Sequence, residues 1–152
     1  MEDVRIRKAT EADVERILRL YSEAGIESED PFTTEEAREH FKMFAKYPNY
    51  RVFVALLDKT IVGAYELLIM DNLAKRGRRS AIVEDVAVSP HHQGQGIGRA
   101  MMNHAMQESR RANCYKLVLS SGLGRTRAHN FYDSLGFERH GISFRVALAK
   151  QG

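Results

Sequence analysis

Residues Val83 to Arg99 read VEDVAVSPHHQGQGIGR, and this stretch decides the fold that the 152-residue chain can adopt. It has the pattern of a buried strand, a sharp turn with alternating glycines, and the first turn of a long helix. A helix start leaves about four backbone N–H groups without intrahelical partners, and with the helix dipole these groups favour an anion such as a phosphate. Gly94, Gly96 and Gly98 would let the backbone approach that anion closely, because glycine has no side chain. The pattern predicts a pyrophosphate-binding turn, although a plain glycine-rich connection between strand and helix has the same short signature.

The composition fits one globular domain, which we place at residues 1–152. Apolar residues make up 43% of the chain and charged residues 28%, which are ordinary values for a soluble protein. No apolar run reaches membrane-spanning length and the start, MEDVRIRK, lacks the apolar core of a signal peptide, so we expect a cytoplasmic protein with no membrane partner. The net charge of +3 suits an anionic ligand but is too small to indicate nucleic acid.

Hydrophobic periodicity predicts an α/β chain with about seven strands and about four helices, in the order βααβββαβαββ. This order gives a mixed, strongly twisted sheet with helices on both faces. We expect strand 81–88 at the centre of the sheet and the very apolar strand 115–121 in its interior. The predicted strands are residues 4–7, 50–57, 60–70, 81–88, 115–121, 137–139 and 143–149, and the predicted helices are about residues 11–24, 34–46, 97–112 and 125–135.

Two segments resemble a known family. Glu84 to Val88, followed by Gln93 to Gly98, resembles motif A of the GNAT superfamily of acetyl-CoA-dependent N-acetyltransferases. Cys114 to Leu119 and the run from Asn130 to Phe137, with its pattern F-Y-x-x-x-G-F, resemble motif B. The resemblance covers the second half of the chain, whereas the first half matches only in the order of its elements. Within the family, the chain resembles glucosamine-phosphate and aminoalkylphosphonate N-acetyltransferases.

The resemblance implies that acetyl-CoA is the cofactor and lies between strands 81–88 and 115–121. Its pantetheine arm would pair with the backbone of strand 81–88, its pyrophosphate would lie on the glycine turn, and Asn130 and Tyr132 would contact its arm and sulfur. The predicted cofactor-binding residues are therefore Val86, Ala87, Val88, Gln93, Gly94, Gln95, Gly96, Ile97, Gly98, Arg99, Asn130 and Tyr132.

Glu84 and Asp85 are adjacent carboxylates inside an apolar strand, and period-two geometry points them to opposite faces. Desolvation would raise the pKa of either group towards the range of a general base, although a structural carboxylate that accepts loop N–H groups fits equally well. We expect at least one to contact the acceptor amine, directly or through water. Glu84 is the first choice because the family's bases often lie on this strand, and a bulge would reverse the facing and favour Asp85.

Tyr132 is the predicted proton donor to the leaving thiolate, because the family's F-Y-x-x-x-G-F tyrosine lies near the cofactor sulfur; a core tyrosine with a solvated hydroxyl is the plainer alternative. We also assign Ser120 and Ser121 to the acceptor site. No local pattern activates Cys114, so the amine would attack the thioester directly. His91 and His92 have no partners at metal-ligand spacing, so we expect no metal.

The identity of the acceptor stays open. We expect a primary amine on a small metabolite, and alternatives are a protein lysine or N-terminus, or a non-catalytic module that only binds acyl-CoA. The basic loop Lys75 to Arg79 is either a solvated loop or an electrostatic lip for phosphate. Glu23, Glu27, Glu29 and Asp30 either attract a cationic amine or keep their loop soluble. A homodimer is the one protein assembly we expect.

Overall fold

The computed structural model describes residues 3–26 and 28–148. The chain divides into two compact units, residues 1–119 and 120–152, and each is taken by itself below. The single domain predicted for residues 1–152 stays a prediction. No helix of the described residues is both long and apolar enough to span a bilayer.

The first unit is built on a mixed sheet of five strands in the order β1-β2-β3-β4-β5. The first three neighbouring pairs are antiparallel, and β4 and β5 are parallel. The central strand is therefore β3, not strand 81–88 as predicted, and β5 lies at an edge of this sheet rather than in its interior. No residue of β5 is buried, and an apolar sequence does not show whether a second strand pairs on the far side. The bounds are β1 Val4–Lys8, β2 Tyr50–Leu57, β3 Thr60–Met70, β4 Arg79–Val88 and β5 Cys114–Val118.

Helices cover both faces of this sheet. Ile17 and Leu20 of α1 pack with Val52 and Val54 of β2, and Phe41 and Phe44 of α2 lie against the same cluster. On the other face, the buried Tyr65 hydroxyl bonds to His104 of α3 at 2.6 Å. The bounds are α1 Val14–Glu23, α2 Thr34–Phe44 and α3 Ile97–Arg111.

Helix α3 lies close to the sheet because β3 has a glycine beneath it. A Cβ atom built on Gly63 would lie 3.0 Å from Cγ2 of Ile97 and 3.1 Å from Sδ of Met101. Both of these helix side chains are fully buried. The short distance fixes the N-terminal turn of α3, and therefore the glycine turn that precedes it, against the sheet.

Polar contacts at their N-termini fix where the first two helical segments begin. Asp13 accepts the backbone N–H of Thr10 at 2.7 Å and the Arg7 guanidinium at 2.7 and 3.0 Å, which ties the start of the helix to β1. Thr33 and Glu36 form the reciprocal pair before α2, with distances of 3.2 and 3.1 Å. Thr10 and Asp13 thus form the capping interaction of the first helical segment.

Over residues 120–148, the part of the second unit that the structure describes, the one helix is α4, at Thr126–Ser134. Gly136 follows it with a φ of 89°, in the left-handed conformation that glycine adopts without strain. The sheet has five strands rather than about seven, because residues 137–148 form no strand. The apolar alternation of Ile142, Phe144, Val146 and Leu148 favours an extended chain, but a strand also needs a hydrogen-bonded neighbour. Ala149, the end of the last predicted strand, lies outside the described residues.

Candidate active site

The glycine turn joins the end of β4 to the start of α3. Gly94 and Gly96 have φ values of 75° and 80°, and Gly96 is the N-cap of the helix. The first i to i−4 bond runs from Ala100 N–H to the Gly96 carbonyl at 3.0 Å, so the N–H groups of the preceding helical residues have no such partner. A Cβ atom built on Gly94 or Gly96 would meet no atom within 4 Å. The turn is therefore an open cradle of backbone donors at the positive end of a helix, as an anion requires.

Ser89 holds the chain in place where β4 enters this turn. The serine is 1% exposed, its N–H donates to the Val62 carbonyl at 2.8 Å, and its Oγ accepts the His91 N–H. The His92 ring also contacts Ser89 Oγ, at 3.2 Å. The two histidines therefore organise the turn, and the Gln93 side-chain amide adds a contact to the Val88 carbonyl at 3.4 Å.

The pairing between β4 and β5 ends where β5 ends, before β4 reaches the turn, and the unpaired stretch of β4 is called the wedge below. Their parallel pairing runs from Arg79 with Cys114 to Ile82 with Val118, and within the described residues no pairing with β5 continues beyond Ile82. The β5-side edge of β4 from Val83 to Val88 is left with backbone groups that a strand-like ligand could pair with. This wedge contains the predicted positions Val86, Ala87 and Val88, and it leads to the glycine turn.

A β-bulge lies in β4 at the two predicted carboxylates. Asp85 has a φ of 48°, and the register with β3 shifts so that Glu66 opposes Glu84 while Ala64 opposes Ala87. The strand thus has one extra residue, the condition under which we expected Asp85 rather than Glu84 to be favoured. Both side chains are exposed, so the expected desolvation of this pair is wrong. The bulge breaks the alternation that would have buried one of them.

Glu66 of β3 is the half-buried carboxyl group at the bulge, and the sequence reasoning missed it. The Tyr50 hydroxyl of β2 donates to its Oε2 at 3.1 Å. Burial, followed by the charge of Asp85, raises the pKa of Glu66 to about 7. The signal was present, since a carboxylate in the apolar run TIVGAYELLIM is as unusual as the pair Glu84 and Asp85.

Two tyrosines enclose this carboxyl group on its buried side. Burial, with the charges of Glu66 and Asp85, raises the pKa of Tyr21 of α1 well above its usual value, and similar causes raise that of Tyr50. Both phenols therefore stay protonated and can act as hydrogen-bond donors. Phe44 and Tyr47 extend the aromatic wall, with ring centroids 4.4 and 6.4 Å from that of Tyr50.

Four predicted site residues, Ser120, Ser121, Asn130 and Tyr132, belong to the second unit. The Tyr132 ring packs between Phe131 and Phe137, with centroid distances of 5.2 and 5.6 Å, and burial raises its pKa. A phenol that stays protonated is suited to donate a proton. Ser120 Oγ lies 2.8 Å from Ser143 Oγ. The roles assigned to these four residues stay predictions.

Three further candidates from the sequence are the Cys114 thiol, the basic loop and the acidic group. Burial raises the pKa of the Cys114 thiol, which agrees with its expected lack of reactivity as a nucleophile. The basic loop lies between β3 and β4, and its Lys75, Arg76 and Arg78 side chains are exposed. Of the acidic group, Glu27 lies outside the described residues.

Comparison with known proteins agrees with this geometry. The chain is 35% identical over 98 residues to a glucosamine 6-phosphate N-acetyltransferase of Trypanosoma brucei brucei, covering 64% of this chain and 65% of that protein. It is 27% identical over 143 residues to an aminoalkylphosphonate N-acetyltransferase of Salmonella typhimurium, covering 94% and 90% of the two chains. Three curated relatives, the trypanosomal enzyme among them, are matched over 65%, 60% and 40% of their own length.

The solved structure of a putative acetyltransferase from Agrobacterium tumefaciens superimposes with a TM-score of 0.89 at 32% identity, covering 95% of this chain and 99% of that one. The sequence model of the Acetyltransferase (GNAT) family matches residues 14–137, a range that contains the β4 bulge, the wedge and the glycine turn. The chain therefore belongs to the GNAT acetyltransferase family.

Proposed function

We propose that this chain transfers the acetyl group of acetyl-CoA to a primary amine of a small molecule, by direct attack within a ternary complex. The observation that supports this most is the open cradle at the start of α3, where Gly94 and Gly96 adopt positive φ with free space above them. It lies at the end of a strand edge that is free for an extended ligand, so one ligand with a diphosphate and an amide-containing arm would fit both features.

In this proposal acetyl-CoA would lie along the free edge of β4. The backbone from Val86 to Val88 would hold its pantetheine amides, and the N–H groups from Gln93 to Arg99 would hold its pyrophosphate. The acetyl group would then lie near the bulge, because the arm extends along β4 away from the turn. Bound there, acetyl-CoA supplies an activated thioester. Asn130 and Tyr132 keep their predicted roles at the arm and the sulfur.

The carboxyl patch at the bulge would hold the acceptor. Glu66, Glu84 and Asp85 give this end of the wedge a negative charge that attracts an ammonium group, and the phenols of Tyr21 and Tyr50 can orient it. Alignment of amine and thioester would supply much of the rate gain, and good alignment is worth about 7–11 kcal/mol in well-oriented systems.

We further propose that the acceptor has a phosphate or phosphonate group. Two of the relatives described above have names that state their substrates, which are glucosamine 6-phosphate and aminoalkylphosphonates. The basic loop supports the same acceptor class here, because Lys75, Arg76 and Arg78 are exposed and lie on the chain that leads directly into β4. An amine without an anionic group would make no charge-assisted contact with these side chains.

The test is an acetyltransferase assay with a panel of amines that follows the free CoA thiol. The panel contains glucosamine 6-phosphate, an aminoalkylphosphonate, their phosphate-free analogues, and a peptide with a free N-terminus and a lysine. We expect thiol release to depend on a phosphate-bearing amine. Tight acetyl-CoA binding by calorimetry without release by any amine would instead show a non-catalytic acyl-CoA-binding module, and release only with the peptide would show a protein acetyltransferase.

A further inference from the structure

Glu66 lies where the bulge brings three strands and a helix to one point. It is on the central strand β3 and opposes Glu84 of β4, and the bulged Asp85 is the next residue of β4 after Glu84. Tyr50 of β2 donates to it at 3.1 Å, and Tyr21 of α1 interacts with it from the helical layer. A position on the central strand with contacts from every neighbouring element makes this carboxyl group the most firmly held of the three.

The three carboxyl groups differ in their access to water. Glu84 and Asp85 are exposed, whereas Glu66 is half-buried. Loss of water favours the neutral acid, and a neighbouring carboxylate has the same effect, so both conditions act on Glu66 in the same direction. A base that must take a proton near neutral pH needs this kind of environment.

We propose that Glu66 is the proton acceptor of the acetyl transfer, with Asp85 and Tyr50 as positioning residues that set its basicity. This inference rests on the proposed function, and it replaces Glu84 as the first choice for that role. Asp85 and Glu66 form a pair that can share one proton, while the Tyr50 hydroxyl donates to Oε2 of Glu66 and fixes the orientation of this carboxyl group.

The acetyl transfer removes two protons from the ammonium nitrogen. An ammonium acceptor gives the first proton to the Glu66 carboxylate, and the free amine nitrogen forms a bond to the thioester carbonyl carbon. The carbon–sulfur bond then breaks with its electron pair on sulfur, the thiolate takes a proton from the Tyr132 hydroxyl, and the second proton of the nitrogen restores that hydroxyl, so that the products are an amide, CoA thiol and a protonated Glu66. The carboxyl group returns its proton to solvent before the next turnover.

The groups that face Glu66 predict opposite effects for two substitutions. The facing groups are Tyr21, Tyr50, Glu84 and Asp85. The Tyr50 hydrogen bond favours the carboxylate, so Tyr50→Phe should move the acid limb of the pH–rate profile to higher pH. The charge of Asp85 favours the neutral acid, so Asp85→Asn should move it to lower pH.

The experiment is the pH profile of kcat/KM for wild type, Glu66→Gln, Glu84→Gln and the surface control Glu15→Gln. Every profile uses the same acceptor amine, chosen because the wild type acetylates it, and saturating acetyl-CoA. Because the amine is the same in every protein, its own titration contributes equally to every profile. We expect Glu66→Gln to lower kcat/KM by about 10²–10⁴-fold near neutral pH and to abolish the acid limb near neutral pH, leaving only a rise at alkaline pH, where the amine loses its proton to water. Glu15→Gln should match wild type, and calorimetry should show unchanged acetyl-CoA affinity for Glu66→Gln.

Two outcomes overturn the inference while the proposed function stands: an acid limb near neutral pH that survives in Glu66→Gln, or one that disappears in Glu84→Gln alone. A wild type that acetylates no amine removes the proposed function itself. Independently of activity, a carboxyl resonance that titrates near neutral pH should be present in carbon-labelled wild type and in Glu15→Gln but absent from Glu66→Gln. A wild type with every glutamate titrating in the ordinary acid range also overturns the inference.

Discussion

The carboxyl groups of Glu66, Glu84 and Asp85 lie in one patch but in different surroundings. The pKa of Glu66 is raised because burial and the charge of Asp85 both favour its protonated form, and only the Tyr50 hydrogen bond opposes them. A group whose folded pKa exceeds its unfolded value binds more protons in the folded protein. Its ionisation near neutral pH therefore lowers stability, which is the usual condition of a residue kept for chemistry rather than for folding.

This difference predicts a pH dependence of stability. The unfolded pKa is near 4.5 and the folded one is about 7, so the free energy of unfolding should fall as pH rises between these values. We expect the loss to be about 1–3 kcal/mol and to disappear in Glu66→Gln, which should be the more stable protein above the upper value. Urea unfolding of the two proteins at a series of pH values measures it. Parallel curves for wild type and variant would contradict the assignment of this shift to Glu66.

Tyr132 gives a second prediction at this scale. The thiolate forms only as the tetrahedral intermediate collapses, so loss of its proton donor should lower kcat and leave binding unchanged. Tyr132→Phe keeps the ring between Phe131 and Phe137 and removes only the hydroxyl. We expect a loss of about 10²-fold in kcat, the lower end of general-acid effects, because water can replace the phenol in part. If Tyr132→Phe has the kcat of the wild type under conditions where chemistry limits turnover, Tyr132 is not the proton donor to the thiolate.

At the scale of elements, the strand β4, the turn and the helix α3 act as one unit. The bulge positions the carboxyl patch, the end of β5 leaves one edge of β4 unpaired, and Gly63 lets the start of α3 lie close to the sheet. The N–H groups of the first turn of that helix have no intrahelical partner. A ligand that spans strand edge and turn therefore meets groups whose positions are fixed by the sheet.

The turn can be tested with a matched pair of glycine substitutions. Gly96→Val should weaken acetyl-CoA binding by about 100-fold or more, since a β-branched side chain would displace the pyrophosphate from at least two charge-assisted hydrogen bonds of about 1.5–3 kcal/mol each. Gly25→Val is the control, because Gly25 has a φ of 75° and equally free space but lies after α1. Both variants have the same left-handed strain of about 1–2 kcal/mol. Calorimetry measures the acetyl-CoA affinity of the two folded variants. Equal affinities of Gly96→Val and Gly25→Val would contradict the assignment of the turn as the pyrophosphate site.

For the molecule as a whole, charge is distributed along β4 in an order that fits the proposed substrates. The basic loop precedes the strand, the carboxyl patch lies within it and the turn follows it. A ten-residue strand is about 30 Å long, so the loop and the turn cannot hold the same phosphate group. Any phosphate at the loop therefore belongs to the acceptor. The homodimer and the cytoplasmic location stay predictions.

This separation predicts which Michaelis constant the basic loop controls. Arg76→Ala combined with Arg78→Ala should raise KM for a phosphate-bearing amine by about 10-fold or more, because the loss of even one charge-assisted contact costs about 1.5–3 kcal/mol. KM for acetyl-CoA should stay unchanged, because its pyrophosphate is held at the turn. The phosphate-free analogue is the matched control and should respond to neither substitution. Equal changes for both substrates, or no change, would return Lys75 to Arg79 to a solvated loop.

Much of the fold follows from local sequence. The hairpin of β2 and β3 has the predicted bounds of residues 50–57 and 60–70, and Gly94 and Gly96 of the predicted turn adopt positive φ. The predicted carboxylates Glu84 and Asp85 are correctly located within β4. These features depend on residues that are close in the chain, where periodicity, turn chemistry and glycine decide the outcome.

Tertiary structure alone decided which strands have partners and which carboxyl group is buried. The edge position of β5 and the absence of strands over residues 137–148 depend on hydrogen bonds to distant segments, which an apolar alternation does not specify. Glu66 was missed for the same reason, because its pKa depends on burial and on Asp85 and Tyr50, which come from two other strands. The sequence by itself determined the family, the glycine turn and the hairpin, while the choice of base came from the desolvation and charge that only the assembled sheet creates.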